Sequence, residues 1–155
     1  MKVFFAVLIF AIIILLAGYW LGARLAADSR VMAVNSSLEN NQLAACPPTP
    51  NCVNSDSTPA DEAHFIIPIA DADGTRWDKL LTNINSMEGA KLVTFTDDYA
   101  YFTFTTKLLG FVDDVEFHNR PDDKLIAVRS ASRVGKSDLG LNRRRVEEIR
   151  VALGL

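Results

Sequence analysis

The feature that most constrains this chain is a stretch near its N-terminus that carries no charged side chain. It runs from Val3 to Leu21 and is flanked by Lys2 and Arg24. As a helix it would span roughly 28 Å, close to the ~30 Å hydrocarbon core of a bilayer. Because it has no polar face, it does not suit a surface helix of a soluble protein. The sequence therefore predicts contact with a membrane through Val3 to Leu21.

A cleaved signal peptide is the alternative interpretation of this stretch. The apolar region of a signal peptide usually runs about 7–15 residues, and this one is longer. We therefore favour a retained transmembrane anchor, or uncleaved signal, over residues 1–24. Tyr19 and Trp20 lie near its end, where amphipathic rings favour the membrane interface. We expect a single-pass protein of the inner (cytoplasmic) membrane, with its C-terminal domain facing the periplasm or the cell exterior.

Residues 25–45 are mostly polar and have no sustained periodicity, which is typical of a linker. Next, Cys46 and Cys52 bracket a short loop that contains three prolines. An oxidising compartment favours a disulfide between these two cysteines, provided that their Cα atoms approach within ~7 Å. A zinc pair and a redox pair are the alternatives, although nearby ligands and the usual CxxC spacing are lacking.

Residues 46–155 show the patterning of a single α+β domain. The predicted strands lie at 64–69, 91–96, 99–107, 111–118 and 124–133, and the predicted helices at 76–87 and 142–153. The breaks between the last four strands are short, so neighbouring strands should be antiparallel. The fold class is therefore α+β: an antiparallel β-meander of four to five strands with two helices, preceded by one N-terminal transmembrane helix.

The starts of the two domain helices carry different signals. Thr75 and Asp78 have the spacing of a capping box. The second helix is expected to begin at Asn142, so the three arginines at 143–145 would occupy its first turn, where the helix dipole disfavours cations. We expect carboxylates or a bound anion to offset these charges.

Strand alternation places charged groups on faces that would normally be apolar. In the run 111–118, Asp113 shares a face with apolar residues, where an unpaired carboxylate would be costly. Arg129 and Arg133 share one face of the following strand. We expect Asp113 or Asp114 to pair with Arg129 or Arg133.

The charge distribution also favours pairing within the domain. Residues 46–123 carry 5 basic and 14 acidic side chains, whereas residues 124–155 carry 8 basic and 3 acidic ones. The alternatives are a polar functional site, or contact between the arginine cluster and a phosphate or anionic lipid. The candidate polar network consists of Asp113, Asp114, Glu116, Arg129, Ser132, Arg133, Ser137, Asp138, Arg143, Arg144 and Arg145.

Three runs of the sequence resemble the DUF1499 family, a bacterial domain of unknown function. They are CPPTPNCVNS (Cys46–Ser55), FVDDVEF (Phe111–Phe117) and RSASRVGKSDLGLNRRRVEEIR (Arg129–Arg150). With their spacing they cover most of residues 46–152. The resemblance implies an exported or membrane-tethered α+β domain of uncharacterised activity, in which these three runs belong to one design. It assigns no catalytic residue.

Composition and motifs limit the classes of function that this chain could have. A net charge of -3 gives no reason to expect nucleic-acid binding. The sequence contains no common catalytic motif, and it predicts no metal or cofactor. We therefore expect a non-catalytic binding or structural module of the cell envelope, with an envelope protein or a small anionic ligand as its partner. His118 is expected to be a solvated strand end.

Two other hypotheses stay open. One is an envelope hydrolase-like enzyme that uses Asp113, Asp114 or Glu116 as acid or base, with Arg129 or Arg133 stabilising an anion. An enzyme requires these groups to converge in a solvent-reachable pocket, whereas a structural network would leave them buried and paired.

The other hypothesis places function on the outer sheet face that carries Tyr99 and Tyr101. Cross-strand packing of the two rings explains their positions equally well.

Overall fold

Within residues 2–32 and 38–155, which the computed structural model describes, the chain forms three helices and eight strands. Residues 33–37 of the predicted linker lie outside the described residues. The helices are α1 (Lys2–Val31), α2 (Arg76–Asn85) and α3 (Leu141–Ala152). The strands are β1 (Leu38–Glu39), β2 (Gln42–Leu43), β3 (Cys52–Asn54), β4 (Ile69–Ala70), β5 (Ala90–Phe95), β6 (Tyr99–Thr105), β7 (Val112–Arg120) and β8 (Leu125–Ser132).

The main sheet has six antiparallel strands in the order β3-β8-β7-β6-β5, and β4 also pairs with β8. The last four strands form the predicted meander. Strand β7 lies between β6 and β8 and pairs with both along most of its length. Strands β1 and β2 form a separate hairpin. These findings confirm the predicted α+β class.

The edge beside β8 differs from the prediction. The strand expected over 64–69 is limited to Ile69 and Ala70, because Pro68 has no N–H to donate to a neighbouring strand. Farther along the same edge, β3 pairs with residues 129–131 of β8, although the sequence suggested only a loop there. Three residues are too few for alternation to reveal a strand.

The predicted capping box before α2 is wrong. The Thr75 hydroxyl donates to Asp73 Oδ1 at 3.0 Å instead of capping the helix. The N–H of Arg76 donates to Oδ1 of the buried Asp71, also at 3.0 Å. A carboxylate upstream of the predicted position therefore satisfies the first turn of α2.

One face of the sheet packs against α2 and α3 to form the hydrophobic core. The rings of Phe102 and Phe117 meet edge to face, with their centroids 6.3 Å apart. Leu80 of α2 and Ile149 of α3 are fully buried against this face. The core also contains Val53, Ile66, Ile69, Trp77, Ile84, Ala100, Phe104, Val115, Ile126, Val128 and Val146.

The opposite face of the sheet is covered by the N-terminal segment. Ala26 and Ser29 of α1 and Leu43 of β2 are buried. The Ser29 hydroxyl accepts a hydrogen bond from the N–H of Val112, at the start of β7, at 3.0 Å. Residues 25–31 thus continue α1 beyond the predicted anchor and pack against the domain, as part of a segment that the sequence suggested as a linker.

The first part of α1 makes no such packing contacts. Every residue from Phe4 to Leu21 is exposed. Among the described residues, α1 is the one helix that is long and apolar enough to cross a membrane. An N-terminal apolar helix before an α+β domain is therefore present, as predicted.

The predicted disulfide is also present. Cys46 and Cys52 are bonded, with Cα atoms 5.7 Å apart. Cys52 opens β3 and pairs with Ala131 of β8. The disulfide therefore ties the proline-containing loop to the edge of the main sheet.

We expect Gly89→Ala to lower the free energy of unfolding by about 2–4 kcal/mol. Gly89 has φ +80°, and a Cβ atom there would lie 2.4 Å from the carbonyl oxygen of Thr105. Gly74 is a matched control, because its φ is +69° but the space around it is open, so Gly74→Ala should cost only about 1 kcal/mol. Denaturant unfolding of the full chain in detergent micelles measures both losses. Equal losses would contradict the predicted backbone clash.

Candidate functional site

The candidate polar network is divided by the sheet. On β7, Asp113 faces α3, whereas Asp114 and Glu116 face the side covered by the N-terminal segment. All three carboxylates are buried. Each must therefore find a partner on its own side, because a buried carboxylate without one is strongly destabilising.

Asp113 pairs with Arg145 of α3. The guanidinium donates to Asp113 Oδ2 at 2.6 Å, and the two side chains are only 3% and 7% exposed. The Arg145 Nη1 group also donates to Ser130 Oγ and Asn142 Oδ1, at 3.0 and 2.6 Å. Its Cζ atom lies 4.7 Å from the centre of the Phe104 ring. These contacts fix the guanidinium and dock α3 onto the central strand.

Ser132 takes part in a hydrogen-bond cluster around Asn142. The Asn142 amide donates to Ser132 Oγ and to the carbonyl of Asn51, both at 3.0 Å. The Ser130 hydroxyl donates to Asn142 Oδ1 at 2.6 Å. Asn142 was expected to cap α3, but the helix begins at Leu141 and the buried Asn142 side chain connects α3 with β8 and the loop before β3.

Asp114 pairs with Arg133, which confirms one of the predicted ion pairs. The Arg133 Nε group donates to both carboxylate oxygens at 3.0 Å. The Tyr101 hydroxyl donates to Asp114 Oδ1 at 2.6 Å. Burial and the neighbouring Asp114 carboxylate raise the pKa of Tyr101, so this hydroxyl remains a donor. Arg133 Nη1 also donates to the Ser29 carbonyl at 3.0 Å, which connects the pair to α1.

Glu116 forms the third buried pair, with Arg129. The Arg129 Nη1 group donates to Glu116 Oε2 at 2.8 Å, and the Tyr99 hydroxyl donates to Oε1 at 2.6 Å. Burial raises the pKa of Glu116, although the hydrogen bonds from Tyr99 and Arg129 oppose this effect. Tyr101 is buried and Tyr99 is half-buried, so these tyrosines belong to the network and do not form an open contact face.

The three arginines at 143–145 all have partners within the protein. Arg143 donates to the carbonyls of Glu62 and Ala63, and Arg144 to the carbonyl of Leu139. Together with the Arg145–Asp113 ion pair, these contacts account for the arginine cluster without a bound anion.

The start of α3 is capped by a carboxylate. Asp138 accepts the N–H groups of Gly140 and Asn142 at 3.0 and 2.7 Å. A negative charge at this position offsets the positive end of the helix dipole. The Ser137 hydroxyl accepts the N–H of Leu139 at 3.3 Å, so it also serves the local turn.

A further cluster, largely shielded from solvent and not predicted from the sequence, lies at the other end of β7. Arg120 forms a two-pronged ion pair with Asp56, with N–O distances of 2.8 and 2.6 Å. Its Nε group donates to His118 Nδ1 at 2.9 Å. His118 is only 2% exposed, so the expectation of a solvated strand end is wrong. No sequence pattern indicates this contact, because Asp56 lies in an irregular segment 64 residues before Arg120 in the chain.

An apolar cavity of about 370 Å³ lies where α1 meets the domain. Four of the predicted network residues line it: Asp113, Ser132, Ser137 and Asp138. The remaining lining is Leu25, Thr106, Phe111, Val112, Val134, Gly135, Leu139 and Leu141. Of the residues proposed for hydrolase-like chemistry, only Asp113 lines this cavity, and Asp114, Glu116 and their arginines do not.

We expect Asp113→Ala to lower the free energy of unfolding by about 3–5 kcal/mol, because the change leaves Arg145 buried without its charged partner. The exposed pair of Lys107 and Glu88, 3.0 Å apart, provides the control. Lys107→Ala should leave stability nearly unchanged, since exposed ion pairs contribute little. Denaturant unfolding of the full chain in micelles measures both variants. An unchanged midpoint for Asp113→Ala would contradict the structural role of the pair.

His118 should make the fold less stable as the pH falls. Burial, followed by the charge of Arg120, lowers the pKa of His118 from its ordinary value of 6.5. The unfolded chain therefore takes up this proton more readily, so stability is lost as the pH falls through 6.5 towards the lower folded value. His118→Asn keeps an acceptor near Arg120 but does not titrate. Melting temperatures between about pH 8 and 5 should fall less for this variant, and identical pH profiles would refute the assignment.

Of three comparisons with known proteins, one found a match. A family model described as a protein of unknown function (DUF1499) matches residues 42–153. No curated protein and no solved structure matches the chain. The matched region contains the disulfide loop, the acidic strand β7 and the arginines of α3, and it covers well over half of the sequence. The chain therefore belongs to the DUF1499 family.

Proposed function

We propose that this protein is a single-pass protein of the inner membrane. In this proposal its C-terminal domain faces the periplasm or the cell exterior and acts there as a non-catalytic binding module close to the bilayer. The observation that carries the proposal is the continuity of α1. Its apolar stretch from Phe4 to Leu21 is exposed, and its following turns pack onto the domain.

This continuity would hold the domain near the membrane surface. Ser29, which bonds to the start of β7, lies about 12 Å along the helix from Leu21. Arg30 donates to the carbonyls of Leu109 and Gly110, at 3.3 and 3.2 Å. The loop between β6 and β7 is therefore the part of the domain that we place nearest the bilayer.

The buried ion pairs support a non-catalytic role. A general acid or base must reach substrate, but the carboxylates of Asp113, Asp114 and Glu116 are buried and each already accepts a hydrogen bond from an arginine. Groups held in this way stabilise the arrangement of sheet and helices. Binding would then use the surface and the cavity near α1.

The disulfide supports export of the domain. Structural disulfides persist in oxidising compartments and are rare in the cytosol. The bond between Cys46 and Cys52 lies in the domain and not in α1. Together with a span at the N-terminus, it favours a domain on the outer side of the inner membrane.

The two cysteines allow a direct test of this orientation, since the chain contains no others. Intact spheroplasts are treated with a membrane-impermeant phosphine and then with an impermeant maleimide. We expect Cys46 and Cys52 to be labelled without lysis, only after reduction, and in the membrane fraction. A double variant, C46S with C52S, is the control for specificity.

Labelling that requires lysis would place the domain in the cytoplasm and overturn the proposed orientation. Recovery of the full-length chain in the soluble fraction would overturn the anchor. Efficient labelling without the phosphine would contradict the disulfide itself.

A further inference from the structure

We propose that the apolar cavity between α1 and the domain binds an acyl chain of a lipid from the adjacent bilayer. This inference rests on the proposed function, because it requires α1 to span a membrane. It adds the chemical class of the ligand and the place where the ligand binds.

The cavity lies close to the membrane end of the domain, at the depth that lipids of the bilayer can reach. Leu25 of α1 forms part of its wall and follows Leu21, the last residue of the charge-free stretch, by about 6 Å along the helix. The headgroup region extends about 5–8 Å beyond the hydrocarbon core on each side of a bilayer. The wall at Leu25 thus lies within the headgroup layer. An acyl chain of a lipid in the leaflet next to the domain can reach it there.

The size and lining of the cavity suit a hydrocarbon. Its volume of about 370 Å³ falls within the range of about 300–1,000 Å³ that is typical of ligand sites. Half of the lining residues are leucine, valine or phenylalanine: Leu25, Phe111, Val112, Val134, Leu139 and Leu141. An acyl chain from the bilayer would remove this apolar wall from water without itself having to leave an apolar environment for water.

The polar side chains of the lining already have partners. The Thr106 hydroxyl accepts the N–H of Phe111 at 2.9 Å, and Ser132 accepts the Asn142 amide at 3.0 Å. Asp113 is held by Arg145.

The other two polar side chains of the wall, Ser137 and Asp138, accept backbone N–H groups at the start of α3. A polar headgroup would have to compete with these bonds. The two carboxylates, Asp113 and Asp138, would also disfavour an anionic one. An apolar acyl chain would neither compete for these hydrogen bonds nor be repelled by the two carboxylates.

Leu139 at the cavity provides an independent sign of function. Its side chain is 85% exposed, and its backbone has φ +55°, a left-handed conformation that is unusual for a leucine. Asparagine or aspartate would tolerate this conformation better. Backbone strain combined with an exposed apolar side chain is typical of residues that are kept for binding and not for stability.

Photolabelling of the full chain in nanodiscs tests the proposal. The probe is a phosphatidylcholine that carries a diazirine at the end of one acyl chain, so labelling does not depend on an anionic headgroup. After illumination, mass spectrometry locates the modified residues. We expect label within residues 134–141 or on Phe111, in addition to label on the span of α1.

Two variants probe the cavity directly. Leu139→Asn removes an apolar wall and relieves the backbone strain, so it should lower labelling of residues 134–141 about tenfold without lowering the melting temperature. Val134→Trp fills the cavity and should have the same effect on labelling. The matched control is Val151→Asn, because Val151 is also apolar and 74% exposed but does not line this cavity.

The outcomes separate this proposal from the one on which it rests. Label confined to residues 4–21 would overturn the acyl-chain site and leave the membrane anchor intact. Domain labelling that persists unchanged in both cavity variants would also overturn the site. Absence of label on α1 would overturn the anchor and the acyl-chain site together.

Discussion

The structure depends on how the buried negative charge of β7 is neutralised. Asp113 is directed to one face of the sheet, and Asp114 and Glu116 to the other, so no single partner can serve all three. Arg145 reaches Asp113 from α3, and Arg133 joins Asp114 to the carbonyl of Ser29 in α1. The electrostatic requirement of one strand therefore determines how the helices on both faces are docked.

In this arrangement the carboxylates of the three acid–arginine pairs of β7 are all buried. Ion pairs that are desolvated and hydrogen-bonded contribute to the definition of one packing arrangement. Among the described residues, the buried Nε of Arg129 is the one side-chain nitrogen or oxygen in such a setting without a hydrogen-bond partner. One of these pairs, Asp113 with Arg145, also lies beside the largely apolar cavity, because Asp113 forms part of its wall. In the proposed arrangement, an apolar cavity beside the membrane would suit the binding of an amphipathic molecule.

Local patterns predicted most of the fold, and contacts between distant segments were the main source of error. Alternation along 111–118 correctly separated Asp113 from Asp114, and strand order made the Asp114–Arg133 pair accessible to prediction. The Asp113–Arg145 pair was missed because residue periodicity does not indicate where a helix packs across a sheet. The Arg120–Asp56 pair was missed for the same reason, since Asp56 lies in an irregular segment. Residue types alone did not reveal the cavity, because four separate segments supply its walls.

The unbroken course of α1 onto the domain would give the proposed anchor a mechanical consequence. A flexible tether would let a domain swivel freely above its span, but here the helix is hydrogen-bonded to the first residue of the central strand. Any tilt or rotation of α1 would therefore move the sheet with it. In the proposed membrane arrangement, the orientation of the domain would therefore follow that of α1, and lateral pressure from neighbouring helices in the bilayer would act directly on the sheet.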